Sequence, residues 1–180
     1  MSTGIDWQLI TSKLPAGKTA EEKAARSELF KQFDVHSNGI LSLAEVDKGI
    51  RDVLQCDVLF NCKPAIMRAF QAAKGAHKST KLEAGPDSVE RIEFRLLLSY
   101  LRQYFELYQM FAQVDSSGDR RISLSEFVNA RDKIKRWGLE ISDPEAQFQM
   151  IDKNGGGLVL FDEFAEWAIK ENLDLEDNDD

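Results

Sequence analysis

Cysteine is scarce in this chain: only Cys56 and Cys62 occur among 180 residues. Their spacing is neither a CxxC pair nor half of a zinc finger. A disulfide scaffold and a cysteine-built metal module are therefore excluded, and both thiols are expected to be free in a reducing, cytoplasmic setting. Basic charge is also short, with 23 Lys and Arg against 31 Asp and Glu and a formal charge of −8. A nucleic-acid partner is not expected, because phosphates demand a basic face. No run approaches the roughly 20 apolar residues of a membrane span. No apolar stretch follows a basic start, so a secretory signal is not expected. The two histidines, His36 and His77, lie far apart. Neither HExxH nor GxSxG occurs, and catalysis is not expected.

What is present is enough apolar material, 43% of residues, to bury one core or two small ones. The acidity is uneven. Glu171, Asp174, Glu176, Asp177, Asp179 and Asp180 place six acids in the last ten residues, leaving 25 acids against 23 bases elsewhere. Such a tail is expected to stay solvated, since like charges repel and little can be buried.

The remainder reads as helix after helix. Residues 5–13 form a short amphipathic segment stopped by Pro15 and Gly17. Thr19 with Glu22 makes a capping box for a helix reaching Phe33. Further helices are predicted over about 43–56, from Pro64, over 90–114 as one or two pieces, over 124–137, from Asp143-Pro144 to Ile151, and over 161–170. Residues 74–88 read as a loop.

The breaks between helices repeat. Phe30, Phe70, Phe111 and Phe148 each stand four residues before a break, at Asp34, Lys74, Asp115 and Asp152. Each break closes on Glu45-Val46, Glu93-Phe94, Glu126-Phe127 or Glu163-Phe164. The first, third and fourth run 12 residues from Asp to Glu, the D-x-[DN]-x-[DN]-G-x5-E pattern of an EF-hand calcium loop in variant form. The spacing has a physical reason. Calcium takes six to eight oxygens; side chains at loop positions 1, 3 and 5, the carbonyl at 7, a water at 9 and a bidentate Glu at 12 converge on it. An apolar residue at position 8 lets loops pair as a small sheet. Here it is Leu41, Ile122 and Val159, with Val89 at the equivalent place before Glu93.

The third loop is the strongest. Its ligands are Asp115, Ser117, Asp119, the Arg121 carbonyl, Ser123 through water, and Glu126. Arg120 stands where glycine is usual, and a left-handed backbone there costs about 1–2 kcal/mol, about tenfold in affinity. The fourth loop keeps Gly157 at that place and offers Asp152, Asn154, the Leu158 carbonyl and Glu163. Gly156 at position 5 leaves water to supply the oxygen, and Leu160 cannot orient a water, so weaker binding is expected. The first loop has His36 at position 3, and imidazole nitrogen suits calcium poorly, so this loop is doubtful. The second break begins on Lys74 and spans 20 residues to Glu93; it is expected to keep the helix–loop–helix shape without binding.

Ser12-Lys-Leu-Pro-Ala-Gly17-Lys18-Thr19 falls one residue short of a phosphate-binding P-loop, and a helix rather than a strand is predicted before it. It reads as a linker and helix start. Trp7, Trp137 and Trp167 read as core residues, with partner-facing anchors as the alternative. Only Met67, Met110 and Met150 are internal methionines, too few for a Met-rich promiscuous groove.

The chain resembles the calflagins, the flagellar calcium-binding proteins of kinetoplastids. The resemblance spans about residues 7–170 and is carried by Trp7, Pro15, Lys18-Thr19-Ala20-Glu21, Leu29-Phe30-Lys31-Gln32-Phe33-Asp34, Ile92-Glu93-Phe94-Arg95-Leu96, Phe105-Glu106-Leu107, Asp152-Lys153-Asn154-Gly155 and Phe161-Asp162-Glu163-Phe164-Ala165-Glu166-Trp167-Ala168. It implies four EF-hands in two lobes, calcium held mainly in the C-terminal lobe, and a sensor linked to the flagellum or its membrane. One departure matters. Calflagins begin Met-Gly and are acylated there, whereas this chain begins Met1-Ser2-Thr3-Gly4 with no early cysteine, so lipid anchoring is not expected for the chain as it stands.

The expectation is an all-α protein with four EF-hand units paired into two lobes. A short N-terminal helix and linker cover 1–18, a largely structural pair 19–103, a calcium-binding pair 104–170 and an acidic tail 171–180. One or two Ca²⁺ ions are expected, in the roughly 10⁻⁷–10⁻⁵ M sensor range. The expected role is a calcium sensor, monomeric or weakly dimeric, baring an apolar groove of Leu107, Met110, Phe111, Phe127, Phe148 and Phe164 to an unidentified protein target. A calcium buffer and a structural component of an axonemal or cytoskeletal assembly are the alternatives.

Overall fold

The computed structural model describes residues 4–74, 76 and 87–173; His77 and the acidic positions 174–180 lie outside them. The chain forms two compact units, divided between Phe105 and Glu106.

In the N-terminal unit, α1 (Trp7–Lys13) starts on Asp6, whose Oδ1 accepts the Leu9 N–H at 3.0 Å. Ile10 and Leu14 are buried, and Trp7 packs at a tilt against Phe105, centroids 5.5 Å apart, under the Arg102 guanidinium. The linker that follows is tied down. Arg26 donates to the Pro15 and Gly17 carbonyls at 2.8 and 2.9 Å, and Arg95 to that of Ala16 at 2.9 Å. With α1 before it in place of a strand, the Gly17-Lys18-Thr19 run does not form a P-loop.

Thr19 caps α2 (Ala20–Phe33) by accepting the Glu22 N–H at 3.1 Å. The predicted reciprocal half of the box is replaced: the Thr19 hydroxyl donates to Glu22 Oε2 at 3.1 Å, and the carboxylate lies against Gly17, where a Cβ would push the flexible Glu22 side chain aside. After β1 (Ile40–Leu41), Ser42 and Glu45 make a complete capping box for α3 (Leu43–Gly49). The single helix predicted to about residue 56 ends earlier. It loosens into one π turn over Ile50–Leu54 that closes on Gln55 at φ +52°. Gly49 lies face-on to the Phe33 ring, where a Cβ would come within 2.6 Å, so the backbone itself is the packing surface there. Next come α4 (Asp57–Phe60) and α5 (Lys63–Lys74). β2 (Val89–Glu90) pairs antiparallel with β1, Leu41 opposite Val89, so the position-8 residues do meet as a small sheet. A 3₁₀ turn, Arg91–Glu93, leads into α6 (Phe94–Val114), one continuous helix. Phe30 and Phe33 pack edge-on to Phe94 at 5.2 and 5.6 Å and centre this core.

The C-terminal unit is built from the end of α6, α7 (Leu124–Asn129), α8 (Arg131–Arg136), α9 (Pro144–Ile151) and α10 (Phe161–Lys170). The helix predicted over 124–137 is two helices. They join at Ala130, whose ψ of 3° tightens the turn and whose N–H is shared between the Glu126 and Phe127 carbonyls. Ile122 and Val159 bridge the two loops with reciprocal N–H···O bonds of 2.9 and 2.8 Å. Beneath them Phe111, Phe127, Phe148, Phe161, Phe164 and Trp167 form one aromatic cluster with centroids 5.6–5.9 Å apart. Trp137 is buried as expected, whereas Trp7 is half-buried. Cys56 and Cys62 are free and buried, and burial pushes the Cys62 thiol up to about 11. Among the described residues no helix is long and apolar enough to cross a membrane.

Candidate metal centre

Each calcium-type loop leaves one helix at an Asp and enters the next at a Glu. In the third loop Asp115 folds the turn around itself. Its Oδ1 accepts from the Gly118 N–H and the Ser117 hydroxyl at 3.1 Å each, and its Oδ2 from the Arg120 N–H at 2.8 Å. Asp119 Oδ1 accepts the Arg121 N–H at 3.0 Å. At the far end Glu126 Oε1 accepts the Ser123 N–H at 2.9 Å, and Oε2 takes the Ser117 N–H at 2.9 Å. Asp115, Asp119 and Glu126 thereby each bring a carboxylate oxygen within 4.8 Å of the other two. Asp115 and Glu126 are buried. Burial alone would raise the Glu126 pKa, but the N–H groups and hydroxyls of Ser123 and Ser117 outweigh it and hold the carboxyl down to about 2. It therefore presents a full negative charge at neutral pH.

Of the other predicted residues, Ser123 spends its hydroxyl oxygen as the N-cap of α7, accepting the Glu126 N–H at 3.2 Å. Arg121 and Leu158 directly precede the bridged pair Ile122 and Val159, so the peptides bearing their carbonyls are anchored by that bridge. Ser116 is a contributor that motif reading overlooks. Its hydroxyl donates to Glu126 Oε2 at 3.3 Å, and the loop pattern places no requirement on position 2.

Position 6 needs a left-handed backbone, with φ +79° at Gly39, +85° at Gly157 and +67° at Arg120. The last is strained, as expected. Arg120→Gly should recover about 1–2 kcal/mol of strain and lose about 1 kcal/mol to chain entropy. We expect the net gain, about 0.5 kcal/mol, to raise calcium affinity at the third loop about twofold, read by calorimetry. Unchanged binding would show that the strain is not felt by the site.

The fourth loop repeats the plan with fewer charges. Asp152 Oδ2 accepts the Gly157 N–H at 2.8 Å, and Glu163 takes the Leu160 N–H at 3.0 Å and the Asn154 N–H at 3.3 Å. Asn154 Oδ1 accepts the Gly156 N–H at 2.8 Å, so Gly156 contributes backbone only. Asp152 Oδ1 is buried and has no hydrogen-bond partner. A buried carboxylate oxygen left bare is expensive by about 1–3 kcal/mol, and a divalent cation in the loop supplies what it lacks. The residues present therefore fit calcium in the third and fourth loops, which offer hard oxygen donors and no nitrogen or sulfur.

The other two breaks differ. In the first, Asp34 accepts the Asn38 N–H at 3.1 Å and the position-6 Gly39 N–H at 2.8 Å, the latter as in the other two loops, but His36 Nδ1 stands 3.1 Å from Glu45 Oε2. In the second, the Lys74 ammonium pairs with Asp87 at 2.7 Å, placing a cation where the first carboxylate of a calcium loop would be.

Comparison with known proteins agrees with this geometry. The FCaBP EF-hand domain family matches residues 10–101, and the EF-hand domain pair family matches residues 104–169. The flagellar calcium-binding protein of Trypanosoma cruzi is 39% identical over 97% of this chain and 83% of its own length. The flagellar calcium-binding proteins TB-24 and TB-17 of Trypanosoma brucei brucei are 41% and 40% identical, over 95% and 98% of this chain and 79% and 76% of theirs. With two loops whose carboxylates fit Ca²⁺ and this likeness along nearly its whole length, the chain belongs to the flagellar calcium-binding protein family of EF-hand proteins.

Proposed function

We propose that the protein is a calcium sensor, acting at the flagellum as its relatives' names indicate, which reads the ion through its third and fourth loops and answers by baring apolar surface to a protein partner. The supporting observation is where the apolar side chains lie. Leu107, Met110, Phe111, Phe127, Phe148 and Phe164 are all buried, at 5% exposure or less. Two of them are neighbours of the loop-closing acids: Phe127 follows Glu126, and Phe164 follows Glu163. The bound ion supplies positive charge for carboxylate oxygens. Glu126 and Glu163 would hold it, and a turn of their carboxylates toward it would carry the first turns of α7 and α10 along. Phe127 and Phe164 ride on those turns, so the aromatic cluster parts. Opening of this kind separates a sensor from a buffer, which scarcely changes shape.

An apolar fluorescent dye tests this. Its emission should rise when Ca²⁺ is added and fall back with chelator, while Mg²⁺ leaves it low. Calcium heat without dye binding would establish a buffer. Partner capture indifferent to chelation would establish a structural component.

A further inference from the structure

We propose that the indole N–H of Trp167 biases the C-terminal unit toward its opened form, and so sets how much calcium the protein needs to open. This rests on calcium-driven opening of that unit. Trp167 lies on α10 and is 6% exposed. Its Nε1 is buried, and no acceptor lies within hydrogen-bond reach among the described residues. A buried tryptophan ordinarily finds a partner for this group, because removing a donor from water without replacing its hydrogen bond is costly. An exception of this kind in a packed core calls for a reason.

The rings packed on the indole supply one. Phe127 lies 5.8 Å from it with 66° between the planes, and Phe164 lies 5.8 Å from it with 57°. Phe127 follows Glu126 and Phe164 follows Glu163, so this one side chain touches a ring from each calcium loop. Parting those rings lets water reach Nε1. The closed unit therefore carries the cost of a bare N–H, and the opened unit does not. Two terms oppose each other on opening: exposing the aromatic rings is unfavourable, and hydrating the N–H is favourable. The fraction of molecules able to open enters the apparent calcium affinity directly. A residue that touches no ion thus tunes the response, and the N–H does so where the ring alone would not.

The test replaces the Trp167 indole by benzothiophene in the full chain, which keeps the bicyclic shape and puts sulfur in place of the N–H. Calcium is titrated in the presence of an apolar fluorescent dye. The calcium concentration at half-maximal emission should rise about tenfold, equivalent to about 1.4 kcal/mol. Without calcium, the unfolding midpoint of the C-terminal unit should rise by about 5 °C or more. The unaltered protein gives a second readout through the ultraviolet Raman band that reports indole N–H hydrogen bonding, assigned to Trp167 by difference from Trp167→Phe. It should show a free N–H without calcium and a bonded one with it. A tryptophan that only fills space would move neither the calcium midpoint nor this band. A Raman band already bonded without calcium would overturn the proposal, whatever the variant does. A wild type that responds to calcium, beside a benzothiophene variant that responds at the same concentration, would overturn this proposal alone. A wild type whose dye emission ignores calcium would end the sensor function and this proposal together.

Discussion

Replacing Glu126 by Gln should remove the tighter of two calcium-binding events, weakening it by about 100-fold, or about 2.7 kcal/mol. The amide keeps a carbonyl oxygen for the Ser123 N–H but loses the charge. The third loop has three carboxylates within mutual reach, so one of three anionic ligands disappears along with the bidentate grip. Glu163→Gln should instead remove the weaker event, because the fourth loop has carboxylates at only two ligand positions, Asp152 and Glu163, with Gly156 at position 5. Calorimetry on the wild type and both variants checks this. An unaltered isotherm in either variant would remove the corresponding loop from the assignment.

The Glu126 substitution also has a signature in acid. The folded pKa of about 2 lies below the ordinary carboxylate value of 4.5, so the ionised group favours the folded state. That contribution is complete above about pH 4.5 and drains away as the pH falls toward 2. Without calcium, Glu126→Gln should therefore be less stable than wild type near neutrality, and the difference should shrink on acidification through that window. A stability gap constant from pH 7 to pH 2.5 would contradict the hydrogen-bond network drawn around Oε1 and Oε2.

The largest effect on stability should come from Phe164→Ala. Phe164 is completely buried, with its ring 5.6 Å from Phe111 and 5.8 Å from Trp167. Truncating a core phenylalanine costs about 3–5 kcal/mol. A unit of this size has only about 4–10 kcal/mol in total. We expect the unfolding midpoint of the C-terminal unit to fall by about 12 °C or more, followed through the fluorescence of Trp137 and Trp167. Calcium at 100 times its dissociation constant should return about 2.7 kcal/mol per site by linkage. A variant that melts like wild type would mean the aromatic cluster is not the keystone of this unit. A destabilised variant that calcium fails to rescue would separate the core from the loops.

Much of this architecture was legible because an EF-hand is specified by local rules. Asp-to-Glu spacing sets where a turn can fold onto an ion, and an apolar position 8 announces which residues will pair. Leu41 with Val89 and Ile122 with Val159 could both be named before any coordinates. Arg120 could be identified as a strained position from its place in the loop alone. Two helix readings ran too long, at Gly49 and Ala130. Periodicity registers the apolar stripe but is blind to a ring pressed on a glycine backbone or to an N–H shared between two carbonyls. Thr19 and Glu22 had the right residue types for a box, but Glu22 lies toward Gly17 and meets the Thr19 hydroxyl instead.

The linear order of residues by itself determined the repeat, the oxygen-rich composition of the third and fourth loops and the family, since each depends on identity and spacing within a dozen positions. Tertiary structure alone decided that Asp152 Oδ1 is buried without a partner, that Ser116 supports Glu126, and that the His36 ring meets Glu45. These are contacts between atoms whose side-chain directions follow from packing, and packing is settled only when all the neighbours are in place.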